Sequence, residues 1–403
     1  MARDDGFDHD ILILGGGLVG SALACALDGR GWRVAQVEAS APALGAPGFD
    51  ERKLALALAS LNALQALDVL PRLATPPAPI RRIHVSRAGD FGSVRLDAAE
   101  HGRDAFGGVV LARELGLALE SRLDACAGLV RHRPARVTAV ESDADGPRVT
   151  IEQDGATRRL RTRLLVAADG SRSLARAAHG IGTSEHDYGQ TLVVCSLATD
   201  RAPDGTAYER FSAQGPVALL PMAGGHYGAI CGVARSDAER VLALPDADYA
   251  AYFQQRFGWR AGRVQRVGAR SGYPLVRILA DAITAPRLVV MGNAAQTLHP
   301  IGAQGFNLGL RDALSLAETL VGEDPGAPVR LAAYAAMRHE DRERTLAFSD
   351  GLARATANDG FPMHVLRSLG LLALGRMPGL ADPLVAGAMG FRGRVPMLSR
   401  GGA

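Results

Sequence analysis

Apolar runs and their periods divide the chain into elements. Residues 10–40, DILILGGGLVGSALACALDGRGWRVAQVEAS, read as a short apolar strand, a glycine turn, an Ala/Leu helix and a second strand ending at Glu38. FDERKLALALASLNALQAL (49–67) reads as a capped helix, and the Pro-broken PRLATPPAPIRR (71–82) as an exit from the first domain. IHVSRA and GSVRL alternate as short strands, and LARELGLALESRLDACA (111–127) returns to a helix. ARVTAVES, RVTIEQ and TRRLRTR read as a meander with turns at DADG and DG, followed by a buried strand, LLVAADG. Residues 183–284 form a β-rich stretch. Within it VALLPMAGGHYGAICGVA (217–234) carries no charge and is expected to be buried. RLVVMGN returns to the first domain, and helices follow to the end.

The fold class expected is α/β, with a discontinuous first domain at 1–75, 105–182 and 285–345. A substrate domain is expected at 76–104 and 183–284, and a C-terminal helical segment at 346–403. With 403 residues and 47% hydrophobic content, the chain has enough material for two lobes sharing a core.

Charge and cysteine content narrow the functional classes. The formal net charge of +3 gives no reason to expect a nucleic-acid partner. Cys25, Cys126, Cys195 and Cys231 are far apart in sequence, which argues against a disulfide framework or zinc ribbon and fits a reducing cytoplasm. The ten histidines show neither HExxH nor HxH spacing, so no metal site is expected. The polar first residues, MARDDGFDHD, do not resemble a signal peptide.

Gly15, Gly17 and Gly20 form G-x-G-x-x-G directly after a strand. The first permits the turn, the second lets a pyrophosphate approach the backbone, and the third lets helix and strand pack closely. Glu38 lies where a carboxylate can hold ribose hydroxyls. The fingerprint alone does not separate FAD from NAD, but no second one follows a strand, so a pair of Rossmann domains is not expected.

Three further motifs carry a family resemblance. LLVAADGSRSLARAA (164–178) resembles the D-G motif of the single-component FAD-dependent aromatic hydroxylases. VVMGNAAQTLHPIGAQGFNLGLRDA (289–313) resembles their G-D loop and the helix after it, and FDERKLAL their D-x-R stretch. Order and spacing match over about residues 8–345, and the loop is most similar to the ubiquinone-biosynthesis branch. The resemblance implies a Rossmann-like FAD-binding domain with an inserted β-rich substrate domain and C-terminal helices.

It also implies hydroxylation of a prenylated phenol through a flavin C4a-hydroperoxide, using O2 and NAD(P)H or another electron donor. By this resemblance Arg52 lies near the flavin and the pyrophosphate, Arg113 near the FAD phosphates, and Asp169 and Gly170 along the pyrophosphate and the donor path. Asn293, where the family most often has Asp, meets the ribityl chain. Backbone N–H groups around Gly302, Gln304, Gly305 and Asn307 face the flavin pyrimidine. The chain departs from the usual Ala-Gly-Gln-Gly order with Gly302-Ala303-Gln304-Gly305, which leaves open which amide touches the flavin. His299 and Pro300 line the proposed oxygen site, with no residue assigned to activate the phenol. Arg172 and Arg176 are candidates for donor phosphates, weighed against roles as solvated helix-start arginines.

Other features have plainer readings. MRHEDRERT (337–345) reads as a solvated charged helix face with i,i+4 pairs, and His226 with Tyr227 as either a satisfied core pair or a contact for a phenol. The apolar tail at 361–391 is either a docking or membrane-surface helix pair, or a segment packed on the first domain or another subunit. The first option would seat a cytoplasmic protein peripherally on the inner membrane; a ubiquinone-biosynthesis protein complex is a further candidate partner. Two tryptophans far apart, Trp32 and Trp259, and one lysine, Lys53, argue against a flavin halogenase. The alternatives left are a hydroxylase of another aromatic, a prenyl reductase and a non-catalytic FAD-binding subunit.

Overall fold

The computed structural model describes residues 6–41, 52–143, 146–297, 304–357 and 382–401, with isolated positions between 368 and 379. Among these residues the strands form three sheets.

The first sheet is mainly parallel. His9–Leu14 lies between Val34–Val37 and Ala156–Ala167, with Leu129–His132 beyond one neighbour and Leu288–Val290 beyond the other. All six residues of His9–Leu14 are buried because both faces of the sheet are covered. Ile11 and Ile13 pack on the helices Leu18–Leu27, Ala112–Asp124 and Gln304–Thr319. Leu12 and Leu14 pack instead with Val149, Ile151 and Leu160 of the meander. The last meander strand and the buried strand after it are one continuous element, Ala156–Ala167. Its first half pairs antiparallel with Gly146–Gln153 and its second half joins the parallel sheet.

The segment read as one capped helix differs within its described part. Lys53–Ala57 is a strand, and only Leu58–Ala66 is helical. The alternating Leu and Ala residues fit a strand as well as a helix. Pairing with Gly107–Leu111 decides in favour of the strand, and Ala78–Ile80 completes this small sheet.

The nine-stranded sheet joins two distant stretches of chain. Thr206–Phe211 pairs in parallel with Arg82–Arg87, which pairs antiparallel with Ser93–Asp97. The uncharged 217–234 stretch is the Val217–Met222/His226–Ala234 hairpin beside them. On one face, Tyr249, Phe253 and Phe257 of the Asp246–Phe257 helix cover Val193, Leu219 and Tyr227. Tyr227 is therefore a core residue of that face, edge-on to Tyr208.

Two further readings become more specific. The described tail residues Leu371, Leu374 and Val385 pack with Val94, Leu96 and Phe106, and the Met389 carbonyl accepts from the Ala59 N–H at 2.9 Å, so the tail packs on both the substrate-side strands and the first domain. The 337–345 charge run is a solvated face only in part, with an Arg344–Glu340 pair on the exposed side. Leu331, Tyr334, Arg338 and Asp341 form one buried stripe of the helix Pro328–Ala357, while His339, Glu340, Glu343 and Arg344 are exposed. Arg338, only 1% exposed, donates from Nε to Asp312 Oδ1 at 2.7 Å and pairs through Nη1 with Asp341 at 2.8 Å. Arg311 donates from Nε to the same Asp341 at 2.8 Å. Buried charges persist only when paired in this way.

Arg338→Met would leave both carboxylates short of a partner and is expected to cost about 3–5 kcal/mol, read as a lower urea midpoint at pH 7. Burial alone would raise the Asp341 carboxyl, but the Arg311 and Arg338 guanidiniums outweigh it and hold it below the ordinary range. A lowered folded pKa stabilises above the unfolded value of about 4 and is lost as pH falls through the folded one. The gap between wild type and variant should therefore narrow below about pH 4.

Candidate functional site

The glycine turn after His9–Leu14 is shaped by close backbone contacts. Gly15 has φ +104°, and a Cβ there would lie 2.3 Å from the Ala168 carbonyl oxygen. A Cβ at Gly20 would lie 2.2 Å from the Gly15 oxygen, so these two glycines are required by the protein's own packing. Gly17 differs, because a Cβ there meets nothing within 4 Å. It caps the Leu18–Leu27 helix without a side-chain cap, so the first N–H groups of that helix have no side-chain acceptor at the cap. Glu38 accepts from the Gly16 N–H at 2.6 Å and the Ser40 N–H at 2.7 Å, which fixes its carboxylate at the lip of the turn.

The D-G turn lies against this one. Ala168 N–H donates to the Leu14 carbonyl at 2.8 Å, and Met291 N–H to the Ala167 carbonyl at 3.0 Å. Asp169 accepts through Oδ2 from the Leu174 N–H at 2.9 Å, while its buried Oδ1 has no partner among the described residues. Gly170 turns the chain at φ +88°. Arg176 is buried and used up locally: it donates to the Ala294 carbonyl at 2.7 Å and the Ser171 carbonyl at 2.9 Å. It thus clamps the D-G turn to the Gly292–Ala294 turn and is not free for a donor phosphate, whereas Arg172 is exposed. Asn293 sits exposed on the clamped turn.

The small sheet brings Arg52 and Arg113 together. Lys53 pairs with Leu111, and the Ala112 N–H donates to the Arg52 carbonyl at 2.9 Å. Arg52 is exposed and Arg113 half-buried, both at the start of the Ala112–Asp124 helix. The helix Gln304–Thr319 begins at the glutamine of the loop motif, and a Cβ at its Gly305 would meet nothing within 4 Å. The Asn307 side chain has a structural task. It accepts from Ala57 N–H at 3.0 Å and Ser60 Oγ at 2.7 Å, and donates to the Ala55 carbonyl at 2.9 Å. His299, Pro300 and Gly302 lie outside the described residues.

Beside Asn307 opens a cavity of about 350 Å³. Its walls are mainly apolar: Leu56 from the small sheet, Val85 and Val94 from the nine-stranded sheet, Leu220 and Ile230 from the uncharged hairpin, and Leu374 from the tail, with Phe106 and Phe211 among them. Arg311 and Asp341 also reach the wall. Sequence reasoning passed over both; the signal was the spacing of 331, 334, 338 and 341, which continues an inward stripe through the charged run.

Residues 8–349 match the FAD binding domain family. The chain belongs to that family. A ubiquinone hydroxylase of Rhodospirillum rubrum, UbiL, is 39% identical over 388 residues, covering 94% of this chain and 89% of that protein. The 3-demethoxyubiquinol 3-hydroxylase of Escherichia coli (strain K12) is 28% identical over 95% of this chain and 98% of its own length. Among solved structures, p-nitrophenol 4-monooxygenase PnpA from Pseudomonas putida DLL-E4 shares the fold, with a TM-score of 0.79 over 96% of this chain and 98% of that one at 18% identity. The chain is an FAD-dependent aromatic-ring monooxygenase of the ubiquinone-hydroxylase branch. No helix among the described residues is long and apolar enough to cross a membrane.

The residues present fit FAD. The open space at Gly17, the fixed Glu38 carboxylate and the unpartnered Asp169 Oδ1 supply a pyrophosphate approach and two acceptors for hydroxyl groups. Two substitutions separate packing from binding. Gly17→Ala should leave the melting temperature of the apoprotein unchanged and weaken FAD binding by roughly tenfold or more, measured by flavin fluorescence. Gly15→Ala should lower both, because its methyl group meets backbone whether or not FAD is bound.

Proposed function

We propose that this enzyme hydroxylates the ring of a prenylated phenol in ubiquinone biosynthesis. The observation that carries the reading is the mainly apolar cavity beside the Gln304–Thr319 helix, whose aliphatic wall residues suit an isoprenoid chain better than a small polar aromatic. The loop sequence is most similar to those of 2-octaprenyl-6-methoxyphenol hydroxylases. The overall reaction consumes the phenol, O2, NAD(P)H and a proton, and yields the hydroxylated ring, water and NAD(P)+. Bound FAD supplies the two-electron activation of O2, from which one oxygen atom reaches the ring.

The chain's own residues bind, orient and exclude water. Gly15, Gly17, Gly20 and Glu38 would hold the adenosine and pyrophosphate end; Arg52, Arg113, Asp169 and Gly170 would complete the phosphate and ribityl contacts. Asn293 would bond the ribityl chain. The N–H groups from Gly302 through Gln304 and Gly305 to Asn307 would face the pyrimidine, where the positive end of the helix favours a reduced, anionic ring. His299 and Pro300 would wall the oxygen site. The tail, with Leu371 and Leu374 over the cavity, would keep water out and pass the isoprenoid chain toward a membrane surface.

The test is genetic and isotopic. Deleting the gene should abolish ubiquinone and accumulate a prenylphenol lacking one ring oxygen, seen by mass spectrometry; the missing position names the step. The purified FAD-loaded enzyme should place one oxygen-18 atom from 18O2 in the product. Unchanged ubiquinone without a redundant sister gene would move the enzyme to another aromatic substrate. NADPH consumption with no label in any ring would leave a non-hydroxylating flavoprotein.

A further inference from the structure

Charged side chains in the cavity wall have no part in the chemistry described above. Three guanidiniums, Arg311, Arg344 and Arg392, line the cavity against two carboxylates, Glu209 and Asp341, with Tyr208 as the one phenol. Arg344 pairs with Glu340 at 2.5 Å, and Arg392 donates to the Pro383 carbonyl. Arg311 is different, with a side chain only 7% exposed. Its Nε and Nη2 donate to Asp341 at 2.8 and 3.3 Å, and its Nη1 makes no hydrogen bond among the described residues. Arg338 Nη2 is sealed without a partner, but Arg311 Nη1 is not sealed in this way. It lies 3.8 Å from where a Cβ of Gly390, itself a lining residue, would stand.

Asp341 cannot neutralise Arg311 alone, because it is shared with Arg338. The second carboxylate, Asp312, is shared between Arg338 and the Gln296 amide, which donates at 2.7 Å. Arg342 adds a third guanidinium that meets only neutral acceptors, Gln296 Oε1 at 3.2 Å and the Ala280 carbonyl at 2.8 Å. Among the buried and half-buried groups of this cluster, Arg311, Arg338 and Arg342 face Asp312 and Asp341, one cation in excess, while Glu343 beside Arg342 is exposed to solvent; of these cations Arg311 lines the cavity. A cation-rich, poorly solvated wall favours the anionic form of an acidic ligand.

We propose that Arg311 receives the substrate's phenolic oxygen through Nη1 and holds it as phenolate. This rests on the phenol-hydroxylase reading above. The step is a deprotonation: the O–H bond breaks, the proton leaves to bulk water as the phenol enters, and the electron pair stays on oxygen. It enriches the ring carbons ortho and para to that oxygen, so the ring attacks an electrophilic oxygen more readily. Activation would thus come from fixed charge, without a dedicated general base.

The FAD-loaded enzyme, without electron donor, is titrated with a prenylphenol carrying 13C at the hydroxyl-bearing ring carbon. The 13C shift of the bound phenol against pH gives its ionisation midpoint. In the wild type it should fall about one to three pH units below the value of about 10 for a free phenol. Arg311→Met should return it to the free value, Arg311→Lys should keep part of the shift, and Asp341→Asn should move it further down by removing an opposing charge. Loosened packing would not move the two neutral substitutions in opposite directions. A wild-type midpoint at or above the free value, or the same direction in both variants, would overturn the proposal. If Arg311→Met does not fold, the Asp341→Asn shift decides. A phenol that never binds would overturn the substrate reading and the Arg311 role together; one that binds but titrates as if free would remove the Arg311 role alone.

Discussion

The cofactor site depends on one close approach of backbone to backbone. The Ala168 carbonyl occupies the place where Gly15 would carry a side chain, and the Gly15 carbonyl does the same to Gly20. This contact joins the end of the first strand to the end of the Ala156–Ala167 strand, which are neighbours in the parallel sheet. It fixes the glycine turn, and with it the helix N-terminus and Glu38, against the D-G turn. Arg176 extends the join to the Gly292–Ala294 turn through two carbonyls. Three loops from distant parts of the chain are held at one edge by main-chain contacts, so their polar groups are placed before any ligand arrives.

The other half of the site follows a different principle. The cavity is built by exclusion, with apolar residues from the small sheet, the nine-stranded sheet and the tail facing inward and charged side chains set among them. Asn307 links the two halves. It stands in the first turn of the Gln304–Thr319 helix, and its amide bonds the strand and helix that carry Ala57 and Ser60. The cofactor edge and the cavity wall are thereby fixed to each other through one buried amide, with two acceptances and one donation satisfied.

Sequence reading reached the cofactor end more fully than the cavity. A glycine forced by backbone contact leaves a mark in the sequence, and so does a carboxylate at a fixed interval, which is why Gly15, Gly20, Glu38 and the D-G turn stood out. The cavity left no such mark. Its walls are ordinary Leu, Ile and Val residues whose shared orientation depends on sheet pairing. Lys53–Ala57 could not be told from a helix because alternating Leu and Ala satisfy both periods until Gly107–Leu111 supplies a partner. The arginine cluster was hidden because composition alone makes a charged run look solvated. Only the inward stripe of Tyr334, Arg338 and Asp341 shows otherwise.

The parallel pairing of Arg82–Arg87 with Thr206–Phe211 has a consequence for biosynthesis. Ser93–Asp97 can pair with one side of the earlier strand as soon as it is made, but the other side must wait 124 residues, the separation of Arg82 from Thr206. At about 5–20 residues per second, that edge stays open for roughly 6–25 s on the ribosome. An open, apolar edge is a template for pairing with the wrong chain. Arg82, His84 and Arg87 lie along it, so the strand carries its own charged and polar guards through the interval. The residues that give the finished cavity its wall are thus set in a strand that must remain soluble while its partner is still being made.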